Sequence, residues 1–129
     1  MSYVITTTTL NEEITGFGRA GVGDFQMIGQ SFVTIGAGTI SSCEISVKID
    51  VGSPTDDVVI AIQADVAGNP SGSDLGTASI PASSLTTTIA LYTLTFTSPI
   101  VLAAGTTYWC VYRRSGSLSD TAHYRDGGD

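Results

Sequence analysis

The sequence predicts an all-β, antiparallel fold, and three observations carry that expectation. Several segments alternate apolar and polar residues with a period of two, turn-forming clusters interrupt them at intervals of about ten residues, and no segment sustains an apolar stripe at helical spacing. The richness in Thr and Val suits pleated, half-buried surfaces.

Residues 3–9 and 27–35 read as strands of open register, separated by the glycine-punctuated Gly16-Phe17-Gly18 and Gly21-Val22-Gly23. Thr39 to Ile49 is the clearest strand, with Cys43, Ile45, Val47 and Ile49 on one side and Ser42, Glu44, Ser46 and Lys48 on the other. Val51-Gly52-Ser53-Pro54 ends it, and Asp57 to Asp65 begins a second alternation with Val58, Ile60, Ile62 and Ala64 inward. Residues 67–73, Ala-Gly-Asn-Pro-Ser-Gly-Ser, read as a loop, followed by a short strand from Leu75 to Ile80 that Pro81 closes. Thr88 to Phe96 places Tyr92, Leu94 and Phe96 inward, Ser98-Pro99 punctuates it, and Ile100 to Leu102 reads as a separate short strand. Thr106 to Arg113 has Tyr108, Cys110 and Tyr112 on one face and Trp109 and Val111 on the other. Short strands at this spacing belong to sandwiches and barrels. With no repeat and no linker, 1–129 reads as a single domain, in which 1–25 form an N-terminal strand or arm and 26–125 the sandwich core.

At 129 residues, 42% of them hydrophobic and only 13% charged, the chain can bury a core and is not expected to be disordered. Lys48 is the sole lysine, and the net charge of −7 repels phosphate backbones and anionic lipid heads, so neither nucleic acid nor membrane is an expected partner. Arg113, Arg114 and Arg125 nevertheless gather near the C-terminus as a local positive spot. Met1-Ser2-Tyr3-Val4 does not open a basic and then apolar secretory signal, and no apolar run reaches the ~20 residues of a membrane-spanning helix, so synthesis in the cytoplasm is expected. A workplace outside the cell stays open, through lysis or removal of a signal. Cys43 and Cys110 are too few for a disulfide framework or a Cys-rich zinc site, and read as two buried thiols unless their strands face each other closely enough to form one bridge.

No catalytic residues are expected. The single histidine, His123, has no Ser or Cys partner in a nucleophile motif, and no phosphate-binding loop or His-x-x-x-His pattern occurs. The adjacent acids Glu12-Glu13 and Asp56-Asp57 point to opposite faces of an extended chain and so cannot flank one scissile bond; solvated turns are the plainer reading. Asp50, Asp56, Asp57, Asp65, Asn69 and Asp74 lie near loops but match no calcium-loop spacing, so neither a metal nor a cofactor is expected.

The stretch from Gln30 to Tyr124 resembles the jelly-roll β-sandwich modules, similar to carbohydrate-binding domains, found in tailed-phage fibre and virion proteins and in bacterial surface proteins. The resemblance is carried by Gln30-Ser31-Phe32, residues 38–42 (Gly-Thr-Ile-Ser-Ser), 51–55 (Val-Gly-Ser-Pro-Thr), 68–72 (Gly-Asn-Pro-Ser-Gly), Ala82-Ser83-Ser84-Leu85, Phe96-Thr97-Ser98-Pro99 and 104–109 (Ala-Gly-Thr-Thr-Tyr-Trp). It implies an antiparallel jelly-roll-like sandwich and a non-enzymatic structural or assembly role in a virion or at a cell surface, as a phage fibre, appendage or capsid-decorating subunit. The alternative it leaves is a carbohydrate-binding module of a larger secreted protein. It also implies further strands beyond Tyr124-Arg125, hence an open sheet edge filled either by residues 3–9 of the same chain or by a neighbouring subunit.

Two candidate surfaces follow. Ile89 and Leu91, with Val111 beside Trp109, are apolar on nominally outer faces, which points either to a subunit interface in a homo-oligomer or to cover by the chain's own N-terminal segment or a loop. Trp109 or Tyr124 could stack on a sugar while Arg113, Arg125 and Asp126 bind its hydroxyls; the plainer reading makes the tryptophan core and the terminal residues packing.

Overall fold

The computed structural model describes residues 2–6, 13–17, 28–117 and 123–127, and the side chains of 29–117 and of Tyr124 among them. Nine strands run in chain order: β1 Ser2–Thr6, β2 Glu13–Phe17, β3 Ile28–Val33, β4 Gly38–Val51, β5 Asp57–Val66, β6 Asn69–Pro81, β7 Ala90–Leu102, β8 Thr107–Arg114 and β9 His123–Gly127. A 3₁₀ turn at Ala82–Ser84 is the one helical element among the described residues. The protein is all-β.

One sheet places β2, β9, β4 and β7 side by side, and the other β3, β8, β5 and β6, all of these neighbours antiparallel. The side of β4 away from β7 is used twice. Thr39 to Glu44 pair in parallel with Ser2 to Thr6 of β1, and Val47 to Val51 pair antiparallel with β9. The strand beyond Tyr124-Arg125 is β2 of the same chain and not residues 3–9, of which the described 3–6 pair with β4 instead; residues 7–9 lie outside the described residues, as do Gly18 and Gly21-Val22-Gly23.

Period-two burial explains why the sheets face each other. Cys43, Ile45 and Val47 of β4, with Leu94 and Phe96 of β7, point from one sheet. Val58, Ile60 and Ile62 of β5, with Tyr108, Cys110 and Tyr112 of β8, meet them from the other in a single apolar cluster. Removing these side chains from water, at ~25 cal/mol per Å² of apolar surface, is the main stabilising term. The result is a sandwich-like pair of sheets.

Three expectations change. Residues 67–73 are not a loop: Ala67 and Gly68, at φ 52° and 84°, form a two-residue turn between the paired Val66 and Asn69, and the remainder belongs to β6. Two positive central φ values define the type I′ turn, whose twist matches that of paired strands. Ile100 to Leu102 is not a separate strand either. It continues β7 beyond a bulge in which Ile40 opposes Ile100 while Ser42 opposes Thr95, so residues 96–99 face the single Ser41 and Pro99 needs no ladder N–H. Finally, β2 and β9 are strands despite the Gly and Asp that lower their local propensity, because each is held by a paired neighbour.

Candidate functional site

β8 carries its side chains to two different places. Trp109, Val111 and Arg113 lie on the outer face of their sheet, whereas Tyr108, Cys110, Tyr112 and then Arg114 continue the inward parity. Two polar clusters result, one outside the sheet and one at the end of the core.

On the outer face, Trp109 Nε1 donates to Asp65 Oδ1 at 2.8 Å. Arg113 grips Asp74 with two parallel bonds, Nη1 to Oδ1 at 2.9 Å and Nη2 to Oδ2 at 2.6 Å. Gln63 is buried beside them with both ends of its amide used: Nε2 donates to Asp74 Oδ1 at 3.0 Å, and Oε1 accepts from the Gly72 N–H at 2.9 Å. The Arg113 hydrogen bonds hold the Asp74 carboxyl below the usual carboxylate range, against the opposing effect of burial. Every hydrogen-bonding group named here is engaged with another.

At the core's end, Asp56 receives four donors. Arg114 Nε and Nη2 reach Oδ2 and Oδ1 at 2.8 Å each, the Gly116 N–H reaches Oδ2 at 2.8 Å, and Tyr124 Oη lies 2.9 Å from Oδ1 and 3.0 Å from the Asp56 carbonyl oxygen. The Arg114 guanidinium also lies over the Tyr124 ring, 5.4 Å from its centroid. Burial pushes the Asp56 carboxyl up, but the bonds from Arg114, Gly116 and Tyr124 together with the Arg114 charge outweigh it, and Asp56 ends below its ordinary value. Burial, and then its bond to Asp56, raises the Tyr124 phenol. This cluster ties the loop before β5 to the end of β8 and to β9, and it revises the solvated-turn reading of Asp56.

The residues suggested for a sugar site are therefore not brought together. Trp109 and Arg113 share the outer face of one sheet, while Tyr124, at 0% exposure, points into the core from the other; a ring without accessible surface cannot stack on a sugar. Arg125 and Asp126 pair through their backbones with Lys48 and Val47 of β4, and their side chains lie outside the described ones. The suggested interface residues also separate. Leu91 is 53% exposed on the outer face of the β4–β7 sheet and Ile89 half-buried just before β7, whereas Val111 is 4% exposed on the other sheet. Cys43 and Cys110 are buried free thiols; burial pushes Cys43 up to about 12 and raises Cys110 as well.

Sequence reasoning missed both clusters: Gln63 and Asp74 with Arg113 on the outer face, and Asp56 with Arg114 at the core's end. The signal for Arg114 was present, since it keeps the parity of Tyr108, Cys110 and Tyr112. Among the described residues no group of three or more His, Cys, Asp or Glu side chains is arranged to hold a metal ion. Comparison with known proteins finds no matching family model, no matching curated protein and no matching solved structure.

Proposed function

We propose that the chain is a non-enzymatic structural or assembly module of a virion or cell-surface structure, a jelly roll that works in a homo-oligomer or against other surface proteins. The nested pairing of the strands supports the jelly-roll reading: β2 with β9, β3 with β8, β4 with β7 and β5 with β6 is the arrangement produced when one long hairpin is rolled into two sheets. The assembly reading rests on one observation. Large apolar side chains remain in solvent, among them Leu91, Leu75, Ile35 and Val101, on a domain whose outer polar cluster is already satisfied internally. Large apolar side chains in solvent favour burial against a partner. The virion and surface setting, as a fibre, appendage or capsid-decorating subunit, comes from the sequence resemblance.

The carbohydrate-binding alternative keeps one favourable feature, the aromatic and arginine pair Trp109 and Arg113 on an outer face, now without Tyr124. Against it, Asp65 and Asp74 already occupy the donors a sugar would need. Leu91→Arg tests the assembly reading: if that face is an interface, the variant keeps the wild-type melting curve and loses the oligomer in sedimentation velocity. A glycan array on the wild type addresses the alternative, and a sugar-binding monomer would defeat the assembly reading.

A further inference from the structure

β2 and β9 hang from the rest of the sandwich by one short line of strand pairing. Among the described residues β2 pairs with β9 alone, at the end of its sheet, and the other neighbour of β9 is β4. The pairing of β9 with β4 spans only Val47 to Val51 and slips in register between Ile49 and Val51. By contrast, β4 pairs with β7 from Gly38 to Val47, and β5 with β8 from Val58 to Ala64. The outer pair therefore gives up few ladder bonds on leaving. Since no other described strand pairs with β2, departure of β9 takes β2 with it.

One described side chain of β9 fastens this pair to the body. Tyr124, level with Ile49, is fully buried in the core cluster, and its hydroxyl reaches both Asp56 Oδ1 and the Asp56 carbonyl oxygen. What it meets is assembled without it. Arg114 and the Gly116 N–H hold the Asp56 carboxylate, and the Ala82 N–H donates to the Asp56 carbonyl at 3.1 Å. Next to it, the Ser115 N–H donates to the Asp57 carbonyl at 3.0 Å, and the Ser115 hydroxyl accepts from the Asp57 N–H at 2.9 Å. All of these groups belong to the links and strands of the body, so the receptor for the tyrosine is organised in advance, and re-entry has only the tyrosine's own strand to order.

We infer that β2 and β9 form a strap that opens and recloses as one unit while the two sheets stay packed, with Tyr124 as its latch and the Asp56 and Arg114 pair as its catch. The apolar cluster between the sheets is drawn, among the described side chains, from β4 to β8 and their links, with Tyr124 the single contribution from the strap. The packing of Ile45 and Leu94 against Ile60 and Cys110 therefore survives opening. Opening bares the backbone edge of β4 from Val47 to Val51 and uncovers Ile49, which packs half-buried against the core. The strap thus governs access to an unpaired strand edge, the kind of surface on which a further strand is added. This device does not depend on the assembly role.

Native-state hydrogen exchange read by mass spectrometry on the full chain tests it. In the wild type, the amides of residues 13–17 and 123–127 should exchange together, faster than those of β5 and β8, and with little acceleration by urea below the unfolding transition, because a local opening exposes little surface. Tyr124→Phe keeps the ring and removes the hydroxyl's bonds to Asp56, and should speed the strap amides by about 10- to 100-fold, the worth of a hydrogen bond to a charged group. Ile62→Val trims the core toward the other end of β5 and should speed the β5 and β8 amides by about 2- to 10-fold while leaving the strap amides unchanged, since the open form keeps that packing. Strap amides that share the rate and urea dependence of β5 and β8 in the wild type, that respond to Ile62→Val as those strands do, or that ignore Tyr124→Phe would each overturn the inference. The wild type and Ile62→Val decide it even where Tyr124→Phe does not fold.

Discussion

Replacing Asp56 with Asn keeps the side chain's shape and removes the negative charge that Arg114 holds at 2.8 Å. The side chains are only 13% and 6% exposed, so this is a largely desolvated pair, and breaking such a pair from one side costs ~3–5 kcal/mol. The amide compounds the loss: it offers one acceptor oxygen where the carboxylate uses two, and its NH₂ must face a donor from Arg114, Gly116 or Tyr124. At ~2.1 cal/mol/K per residue over 129 residues the unfolding entropy is about 270 cal/mol/K, so the expected loss lowers Tm by about 11–18 °C. Acid supplies a second readout with a definite sign. The folded carboxyl titrates below its ordinary value of 3.8, so its contribution is fully present above that pH and is lost as pH falls through the lower folded value. The gap between wild type and D56N, followed by circular dichroism melts, should therefore be wide near neutrality and narrow in acid below pH 3.8. A drop of less than about 4 °C at neutral pH, or a gap that does not change with acid, would refute the assignment of a buried, charge-dependent clamp.

Three further outcomes follow from the geometry. Ala67 is the sole non-glycine residue with positive φ among those described, at 52°, so Ala67→Asn, which creates the favoured Asn-Gly turn, should stabilise the chain by ~0.5–1 kcal/mol in urea unfolding. A Cβ added at Gly76 would lie 2.7 Å from Ile100 Cγ1 and Cδ1, where β6 passes β7, so Gly76→Val should cost ~1–3 kcal/mol in the same assay. The two cysteine thiols should resist a water-soluble thiol reagent at pH 8 in the native state and both react in denaturant, since each is buried and raised above its ordinary value.

The core was legible wherever a strand was long and half-buried. Cys43, Ile45 and Val47, then Val58, Ile60 and Ile62, then Tyr108, Cys110 and Tyr112 announce their faces by alternation alone, because period-two patterning reports which side excludes water. Composition misled at residues 67–73, where Gly, Asn, Pro and Ser suggest a loop; two of them make the turn, Asn69 and Pro70 pair with β5, and 71–73 form an irregularity within β6 before pairing resumes at Asp74. Tyr124 was legible as an aromatic residue beside arginines but not as a buried one, because its position depends on β9 entering the sheet beside β4, a pairing between residues far apart in sequence. Val111 shows the same limit. Alternation places it on the outer face, yet its burial depends on what covers that face, which no local pattern encodes.

On the proposed assembly role, exposed apolar surface on this β-sandwich-like domain is buried against copies or partners. Sedimentation velocity of the wild-type chain across a wide range of micromolar concentrations, at moderate salt, tests it most directly. Association would give a weight-average mass that climbs with concentration above the 13.3 kDa monomer. A single species at the monomer mass throughout, with Leu91→Arg and Ile35→Asp indistinguishable from wild type, would contradict it.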